Sequence, residues 1–328
     1  MAPPSIPNPF LWRRIHSLSG LWLVLFLILH LVTNSQAAFN DGVGFIAQAN
    51  SLEAIPYVRV IEILLLALPF AVHMIWGVKR LFMAETNSWP SDGSKPSLPY
   101  GRNRAFTWMR LTSWVLLVGV ILHVVHMRFL EYPWAVEKDG QEYYMAKVGM
   151  DAGLYTLSER LHVSLYDAKR IAQASEEKPI NQASVAINQP EVSFFTGPKD
   201  EVFDASKEKQ LQSQQDYHEW QEWIAALQRK PIDDHHVIAV ANNFGAASLL
   251  LVRESFKSPI MVALYSLFVL FTCYHAFNGL WTFLITWGVT LTEKSQRLAL
   301  YLSTVLMLLI AFLGVTAAVG TYWLNLRN

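Results

Sequence analysis

The chain has 328 residues, of which 52% are hydrophobic, and its 26 basic residues balance 26 acidic ones. Few charges with no net excess are typical of a protein in lipid, and they argue against a nucleic-acid partner. Cys273 is the only cysteine, which excludes a disulfide bond within the chain.

Five apolar stretches have the length that a bilayer-spanning helix requires. In chain order they run around Leu18–Val32, Val60–Val78, Leu111–Met127, Pro259–Val289 and Leu298–Leu324. A soluble core does not need so many, so we predict an all-α integral membrane protein with five transmembrane helices. The first stretch, which precedes Ser35-Gln36-Ala37, also resembles a cleavable signal peptide. A retained first helix explains it equally well and keeps His30 in the protein.

Lysine and arginine are distributed unevenly among the connections. Short loops rich in these residues stay in the cytoplasm. The N-terminus, the second-to-third connection and the fourth-to-fifth connection carry Arg13, Arg14, Lys79, Arg80, Lys95, Arg102, Arg104, Lys294 and Arg297. The first-to-second connection has only Arg59 against Asp41 and Glu53, and the C-terminal tail has only Arg327. We therefore expect a multi-pass protein of the bacterial cytoplasmic membrane with its N-terminus in the cytoplasm.

A long polar segment separates the third and fourth stretches and is too long for a loop inside a compact bundle. The sequence predicts helices I–III in residues 1–130, a large, partly helical extramembrane insertion in 131–257, and helices IV–V in 258–328. The topology places the insertion on the external side. Its composition predicts helices over Ser158–Ala174 and Lys207–Lys230, with irregular linker over Glu176–Asp204.

Val237–Val252 is apolar enough to suggest a sixth span. The stretch is short and is interrupted by Asn242 and Asn243, so we favour a buried or interfacial helix. A true span here would put Lys294 and Arg297 outside, against the charge rule.

Two smaller features of the insertion carry alternatives. Asp233, Asp234, His235 and His236 could bind a metal ion, but adjacent residues rarely converge on one ion, so a solvated turn is favoured. Trp220 and Trp223 are predicted to be core residues of a small helical element.

Four of the apolar stretches carry a histidine near mid-depth: His30, His73, His123 and His275. An ionisable side chain is costly inside hydrocarbon, so each one is a functional hypothesis. Four histidines on four helices are what two bis-histidine haems require. His126 is a fifth candidate, one turn after His123. Hydrogen-bonded helix contacts are the alternative interpretation for each histidine.

Depth sorts the histidines into pairs. In the predicted topology His30 and His123 lie late in outward-running helices, whereas His73 and His275 lie in the later halves of inward-running ones. We predict that His30 and His123 hold an outer haem, and that His73 and His275 hold an inner one. A rise of about 1.5 Å per residue separates the layers by roughly 10 to 15 Å.

Three glycines, Gly77, Gly119 and Gly279, each lie four residues from a histidine and share its helix face, which leaves room for a flat porphyrin. Two axial histidines leave iron no open coordination position, so electron transfer is expected rather than oxygen chemistry. His16, at the predicted inner surface, is a poor ligand candidate. A role near a propionate or partner subunit and a plain interfacial cation both remain open for it.

Glu62 lies eleven residues before His73, which places it about 16 Å toward the outer surface and near the outer haem. A carboxylate there could exchange protons with a quinone or pair with Arg59. Glu62 and Arg59 are therefore the quinone-site candidates.

Five motifs carry a family resemblance over about residues 9–130 and 258–324. They are Arg13-Arg14-Ile15-His16-Ser17-Leu18; His30-Leu31-Val32-Thr33-Asn34; Glu62-Ile63 through Leu68-Pro69 to His73; Arg110-Leu111-Thr112 through His123; and His275-Ala276-Phe277-Asn278-Gly279-Leu280-Trp281, which continues into Thr286-Trp287-Gly288-Val289-Thr290 and Ser295-Gln296-Arg297. In these motifs the chain resembles the cytochrome b subunit of succinate:quinone oxidoreductases, specifically the single-anchor, five-helix, two-haem class found with menaquinone.

The resemblance implies that His30, His73, His123 and His275 are axial ligands of two haem b groups. It also implies that the chain carries electrons between an iron–sulfur subunit and menaquinone, with that subunit and a flavoprotein docked on the cytoplasmic side. Succinate or fumarate chemistry would belong to the flavoprotein, because no dinucleotide-binding fingerprint occurs here. The chain departs from the family in its long insertion.

Two alternatives remain open at this point. A cytochrome b subunit of a hydrogenase or formate dehydrogenase should dock its partner on the outside, whereas the basic loops are predicted to lie inside. A haem-free transporter with a histidine proton relay should show no haem spectrum.

Overall fold

The computed structural model describes residues 8–83, 87–94, 96–177 and 199–327. The described chain divides into two compact units. One, called the bundle here, takes in the described residues of Met1–Glu131 and Ser255–Arg327, and the other, called the insertion unit, takes in those of Tyr132–Glu254.

Helices dominate both units. In chain order they are α1 (Asn8–Ser35), α2 (Val43–Glu53), α3 (Val58–Glu62), α4 (Leu68–Met83), α5 (Gly101–Val124), α6 (Ala152–Leu161), α7 (Ala168–Glu176), α8 (Lys199–Leu227), α9 (Phe244–Ser255), α10 (Pro259–Thr286) and α11 (Glu293–Arg327). Single π-helical turns at Ile63–Ala67 and Val125–Leu130 join α3 to α4 and extend α5. The strands are β1 (Trp134–Lys138), β2 (Gln141–Gly149), β3 (Ser164–Tyr166) and β4 (His236–Ala241).

Five helical segments in the described ranges are long and apolar enough to cross a membrane. They are Pro9–Ala38, Val58–Arg80, Gly101–Leu130, Pro259–Thr286 and Glu293–Leu326. Their outer surfaces carry large exposed apolar side chains, which suits lipid contact; examples, one from each segment, are Leu25, Leu64, Val118, Leu267 and Leu308. The predicted all-α membrane bundle with five spans is confirmed.

The bundle is organised around α1, α10 and α11, which share a buried cluster of Val24, Leu31, Cys273, Phe277, Ile310 and Ala311. α4 packs on α1, and α5 packs on α10. Gly314 of α11 permits the close approach at the centre, because a Cβ there would lie 2.7 Å from Val269 and 3.0 Å from Leu31. The two outer helices, α4 and α5, thus lie beside the two central helices that carry histidines, α1 and α10.

The insertion unit contains a four-stranded antiparallel sheet of order β1-β2-β4-β3. Both faces of the sheet are covered. Val237, Ala239 and Ala241 of β4 face a cluster that includes Leu154 of α6 and Leu250 of α9, whereas Ile238 and Val240 face one that includes Ile171 of α7 and Trp223 of α8. Burial on both faces gives β4 a continuous apolar sequence rather than an alternating one.

The sheet was not predicted from the sequence. β1 and β2 form a hairpin through Asp139 and Gly140, whose φ angles are 54° and 69°. Asp-Gly is a strong signal for this two-residue turn, because both central positions need a positive φ. The predicted helix over Ser158–Ala174 is wrong in its middle, where β3 separates α6 from α7, because Leu165 pairs with Ala239, a contact distant in sequence.

The expected helix over Val237–Val252 is correct only in its second half. β4 occupies the first part and α9 the second, and Asn243 separates them because its side-chain oxygen accepts the N–H of Ala246 at 2.9 Å. α9 is not among the candidate spans, so the sixth-span alternative is not supported. A strand buried on both faces has a continuous apolar sequence. Periodicity alone does not distinguish such a sequence from that of a buried helix.

The other predictions for the insertion fare differently. The helix over Lys207–Lys230 is present as α8 and ends at Leu227. Trp223 is buried in the core, and the indole N–H of Trp220 donates to the carbonyl of Ala174 at 3.2 Å, so both tryptophans have the predicted core role. Most of the predicted linker, residues 178–198, lies outside the described residues, and its last part belongs to α8.

Candidate functional site

Four histidine side chains meet in two pairs inside the bundle. The rings of His30 on α1 and His123 on α5 have centroids 5.9 Å apart and an interplanar angle of 80°. The rings of His73 on α4 and His275 on α10 lie 6.4 Å apart at 82°. These are the two pairs that helix depth predicts, and each joins two different helices.

The separations fit one metal ion between each pair. Two imidazoles on opposite sides of an ion, each with a metal–nitrogen distance of about 2 Å, have ring centroids about 6 Å apart. No group of three or more His, Cys, Asp or Glu residues suited to a bare metal ion occurs in the described ranges. Bis-histidine haem needs only two protein ligands, because the porphyrin supplies the other four. The residues therefore fit haem rather than a protein-only metal site.

Hydrogen bonds at the second ring nitrogen support the same interpretation for the His73/His275 pair. Nδ1 of His73 lies 3.1 Å from the carbonyl oxygen of His16, and Nδ1 of His275 lies 3.1 Å from that of Met109. We assign the proton to Nδ1 in both histidines, because a carbonyl oxygen can only accept a hydrogen bond. This tautomer leaves the lone pair on Nε2. A metal-binding histidine is usually held in this way.

The His30/His123 pair has side-chain partners instead. Nδ1 of His123 lies 3.4 Å from the hydroxyl of Tyr265, and Nδ1 of His126 lies 2.9 Å from that same hydroxyl. Nδ1 of His30 lies 3.5 Å from the amide nitrogen of Asn34. His126, the fifth candidate, is therefore placed beside Tyr265 and belongs to neither pair.

His16 is closer to the site than its sequence position suggests. Its ring stacks on that of His73, with centroids 4.0 Å apart and planes 15° apart. Gly20, one turn later on α1, makes this possible, because a Cβ there would lie 2.9 Å from Cε1 of His73. Of the two alternatives left open for His16, this stacking argues against the plain interfacial cation. The sequence signal for this stacking was the four-residue spacing of His16 and Gly20, which places both residues on one face of α1.

The three glycines predicted to leave room for a porphyrin have different surroundings. Nothing among the described atoms lies within 4 Å of a Cβ built on Gly279, and one on Gly77 would lie 3.7 Å from the ring of His16. At Gly119 the prediction is wrong, because the ring of Phe268 fills that space and would lie 2.6 Å from a Cβ.

Glu62 lies in a network of charged side chains. Arg128 donates to its carboxylate at 2.6 Å and Arg59 at 3.4 Å, while Arg59 also donates to Glu53 at 2.7 Å. Two interpretations were considered for Glu62, proton exchange with a quinone and an ion pair with Arg59. The structure contains the ion pair. Arg128, which follows Glu62 by 66 positions, was not predicted as a partner.

Asp233 and the residues after it form the solvated turn that was favoured over a metal site. The carboxylate accepts from the ring Nδ1 of His236 at 2.7 Å and from the backbone N–H of His235 at 2.9 Å. These hydrogen bonds, that from His236 first, lower the pKa of Asp233.

Comparison with known proteins finds similarity along nearly the whole chain. It is 23% identical over 309 residues to the succinate dehydrogenase cytochrome b558 subunit of Bacillus subtilis (strain 168), which covers 94% of this chain and 95% of that protein. This similarity confirms the resemblance of the motifs to succinate dehydrogenase cytochrome b. No protein-family profile matches the chain. No solved structure matches it significantly.

Proposed function

Because the chain is similar to a succinate dehydrogenase cytochrome b subunit over nearly its whole length, we propose that it is the membrane-anchor cytochrome b subunit of a succinate dehydrogenase or fumarate reductase complex. It carries two haem b groups and passes electrons between an iron–sulfur subunit and menaquinone. The observation that carries the proposal is the meeting of His30 with His123 and of His73 with His275 between helices of the bundle.

The four histidines would hold the two haem groups in this function. When bound, haem would supply one-electron transfer. The carbonyls of His16 and Met109 hold the rings of His73 and His275 with Nε2 available for iron. Both carbonyls belong to helical backbone, so the positions of these two acceptors do not depend on side-chain rotamers.

The charge distribution supports a sidedness for the proposed complex. With the basic connections in the cytoplasm, a flavoprotein and an iron–sulfur protein dock on that side, and residues 131–257 form an external domain. The protein then belongs to a bacterial cytoplasmic membrane, with the His73/His275 haem nearer the docked partners and the His30/His123 haem nearer the opposite surface.

The quinone contact that we propose is the charged network at Arg59 and Glu62. A guanidinium can donate hydrogen bonds to a quinone carbonyl, and a carboxylate can exchange protons with the reduced ring. Arg59 and Glu62 are both partly exposed, with side-chain exposures of 43% and 41%. A quinone ring at this end of the bundle would be near the His30/His123 haem.

The optical spectrum of the purified complex tests the proposal. We expect a sharp α-band on reduction, two haem b groups per chain by pyridine haemochrome assay, and co-purification of a flavin-containing subunit whose substrate succinate reduces the haems. A colourless protein would contradict haem binding and favour the transporter alternative. A coloured complex whose haems are reduced by hydrogen or formate, and not by succinate, would favour the other class of cytochrome b.

Gly20→Ala should weaken haem binding at the His73/His275 pair, because the added methyl group displaces the ring of His73. We expect about a tenfold loss of haem affinity there, the lower end of what displaced supporting groups cost at metal sites. The measurement is haem content per component, from reduced-minus-oxidised spectra. Gly101→Ala is the matched control, since nothing described lies within 4 Å of a Cβ at Gly101. Equal haem content in the two variants would contradict the role of Gly20.

A further inference from the structure

One tyrosine hydroxyl joins two histidines of the bundle. Tyr265, on α10, lies with its oxygen 3.4 Å from Nδ1 of His123 and 2.9 Å from Nδ1 of His126. Its ring is held independently of these bonds, because it packs edge-on against Phe256 with centroids 5.3 Å apart. The hydroxyl is therefore placed by packing as well as by its hydrogen bonds.

When His123 binds iron through Nε2, one arrangement of protons gives each donor in this group a single acceptor. Nδ1 of a neutral His123 then carries the proton and donates it to the oxygen of Tyr265. A hydroxyl has a single proton, so Tyr265 donates its own to His126, whose Nδ1 accepts. Each donor thus meets one acceptor.

The backbone around His126 has the geometry that this contact needs. Val125–Leu130 is a π-helical turn, and its wider bonding is shown by the N–H of Glu131 donating to the carbonyl of His126 at 2.7 Å. Such turns are rare in proteins as a whole. Many of those that occur lie at functional sites, where they change the direction of side chains. Here the turn begins two residues after His123 and contains His126.

The two histidine pairs differ in how their rings are held. His73 and His275 both donate to backbone carbonyls, whereas His123 depends on a tyrosine side chain from another helix. We propose that Tyr265, oriented by His126, is a positioning residue that sets the orientation and donor strength of His123 toward the haem iron. This inference rests on the proposed function, in which His123 is an axial ligand.

An acceptor at Nδ1–H makes an imidazole a stronger electron donor through its other nitrogen, which favours the ferric state of the iron. Removing the acceptor should therefore favour the ferrous state and raise the midpoint potential of that haem. The haem held by His73 and His275 has no reason to change, because its acceptors are backbone atoms.

The test is a redox titration of the whole complex carrying Tyr265→Phe, in which the ring packing is kept and the hydroxyl is lost. We expect the reduced-to-oxidised ratio of one haem, at a fixed potential, to rise by about three- to tenfold, where tenfold corresponds to about 59 mV for a one-electron couple. Its low-spin electron paramagnetic resonance signal should shift as well. The affected haem should be the component that His30→Ala removes.

A second variant and a control keep the test decisive. His126→Leu should shift the same haem in the same direction but less, because the hydroxyl remains and loses only its orientation. Tyr301→Phe makes the same chemical change on an exposed residue of α11 and should leave both haems unchanged. Selective loss of the His30/His123 haem in Tyr265→Phe would also support positioning. Unchanged potentials and resonance signals in both Tyr265→Phe and His126→Leu would overturn it, whereas a wild-type protein without haem would overturn the proposed function instead.

Discussion

His73→Ala should remove one haem component from the complex and leave the other, and His275→Ala should remove that same component. The reason is geometric, because the two rings, on α4 and α10, have centroids 6.4 Å apart, a separation that fits one metal ion between them. His30→Ala and His123→Ala should each remove the second component and leave the first. We expect at least a 100-fold loss of affinity for the affected haem, since losing a ligand costs more than the 10- to 100-fold seen for outer partners of metal ligands.

The measurement is the reduced-minus-oxidised spectrum of each variant, with haem counted per chain. His218→Ala is the matched control, because this histidine is exposed on α8 in the insertion unit. Loss of one component by His73→Ala and of the other by His275→Ala would contradict the pairing. Two intact haems in any of the four variants would contradict the assignment of that histidine as a ligand.

Asp151→Ala should destabilise the insertion unit by about 3 kcal/mol, because it breaks a buried ion pair and removes a helix cap. The guanidinium of Arg253, whose side chain is 8% exposed, donates two hydrogen bonds to the Asp151 carboxylate, and one of them measures 2.9 Å. The same carboxylate accepts the N–H of Leu154 at 2.8 Å at the start of α6. Its loss leaves a buried cation without this carboxylate.

Native-state proteolysis of the full chain in detergent measures this effect as the rate of cleavage within residues 132–254. Glu222→Ala is the matched control, because it removes an exposed contact with the ring of His218 and should change stability by less than about 1 kcal/mol. Equal cleavage rates for the two variants would show that the Arg253 ion pair does not stabilise the unit.

Features set by local composition were predictable without a structure. The five spans follow from apolar length, because a bilayer imposes one thickness on every crossing helix. Helix rise then converts sequence position into depth, and depth alone pairs His30 with His123 and His73 with His275. Predictions for the insertion unit were poorer, because β4 is buried on both faces and its apolar run is compatible with a helix as well as a strand.

The sequence by itself determined that the chain is a bundle of apolar helices and predicted that its histidines lie at two depths, since hydrophobic length and helix rise are properties of each segment alone. Only the tertiary structure decided which side chains surround those histidines. The stacking of His16 on His73, the contact of Tyr265 with His123 across 142 positions and the pairing of Arg128 with Glu62 all depend on how each helix is rotated against its neighbours. That rotation is set by packing between distant segments, such as the contact of Gly314 with Val269 and Leu31, which no local pattern encodes.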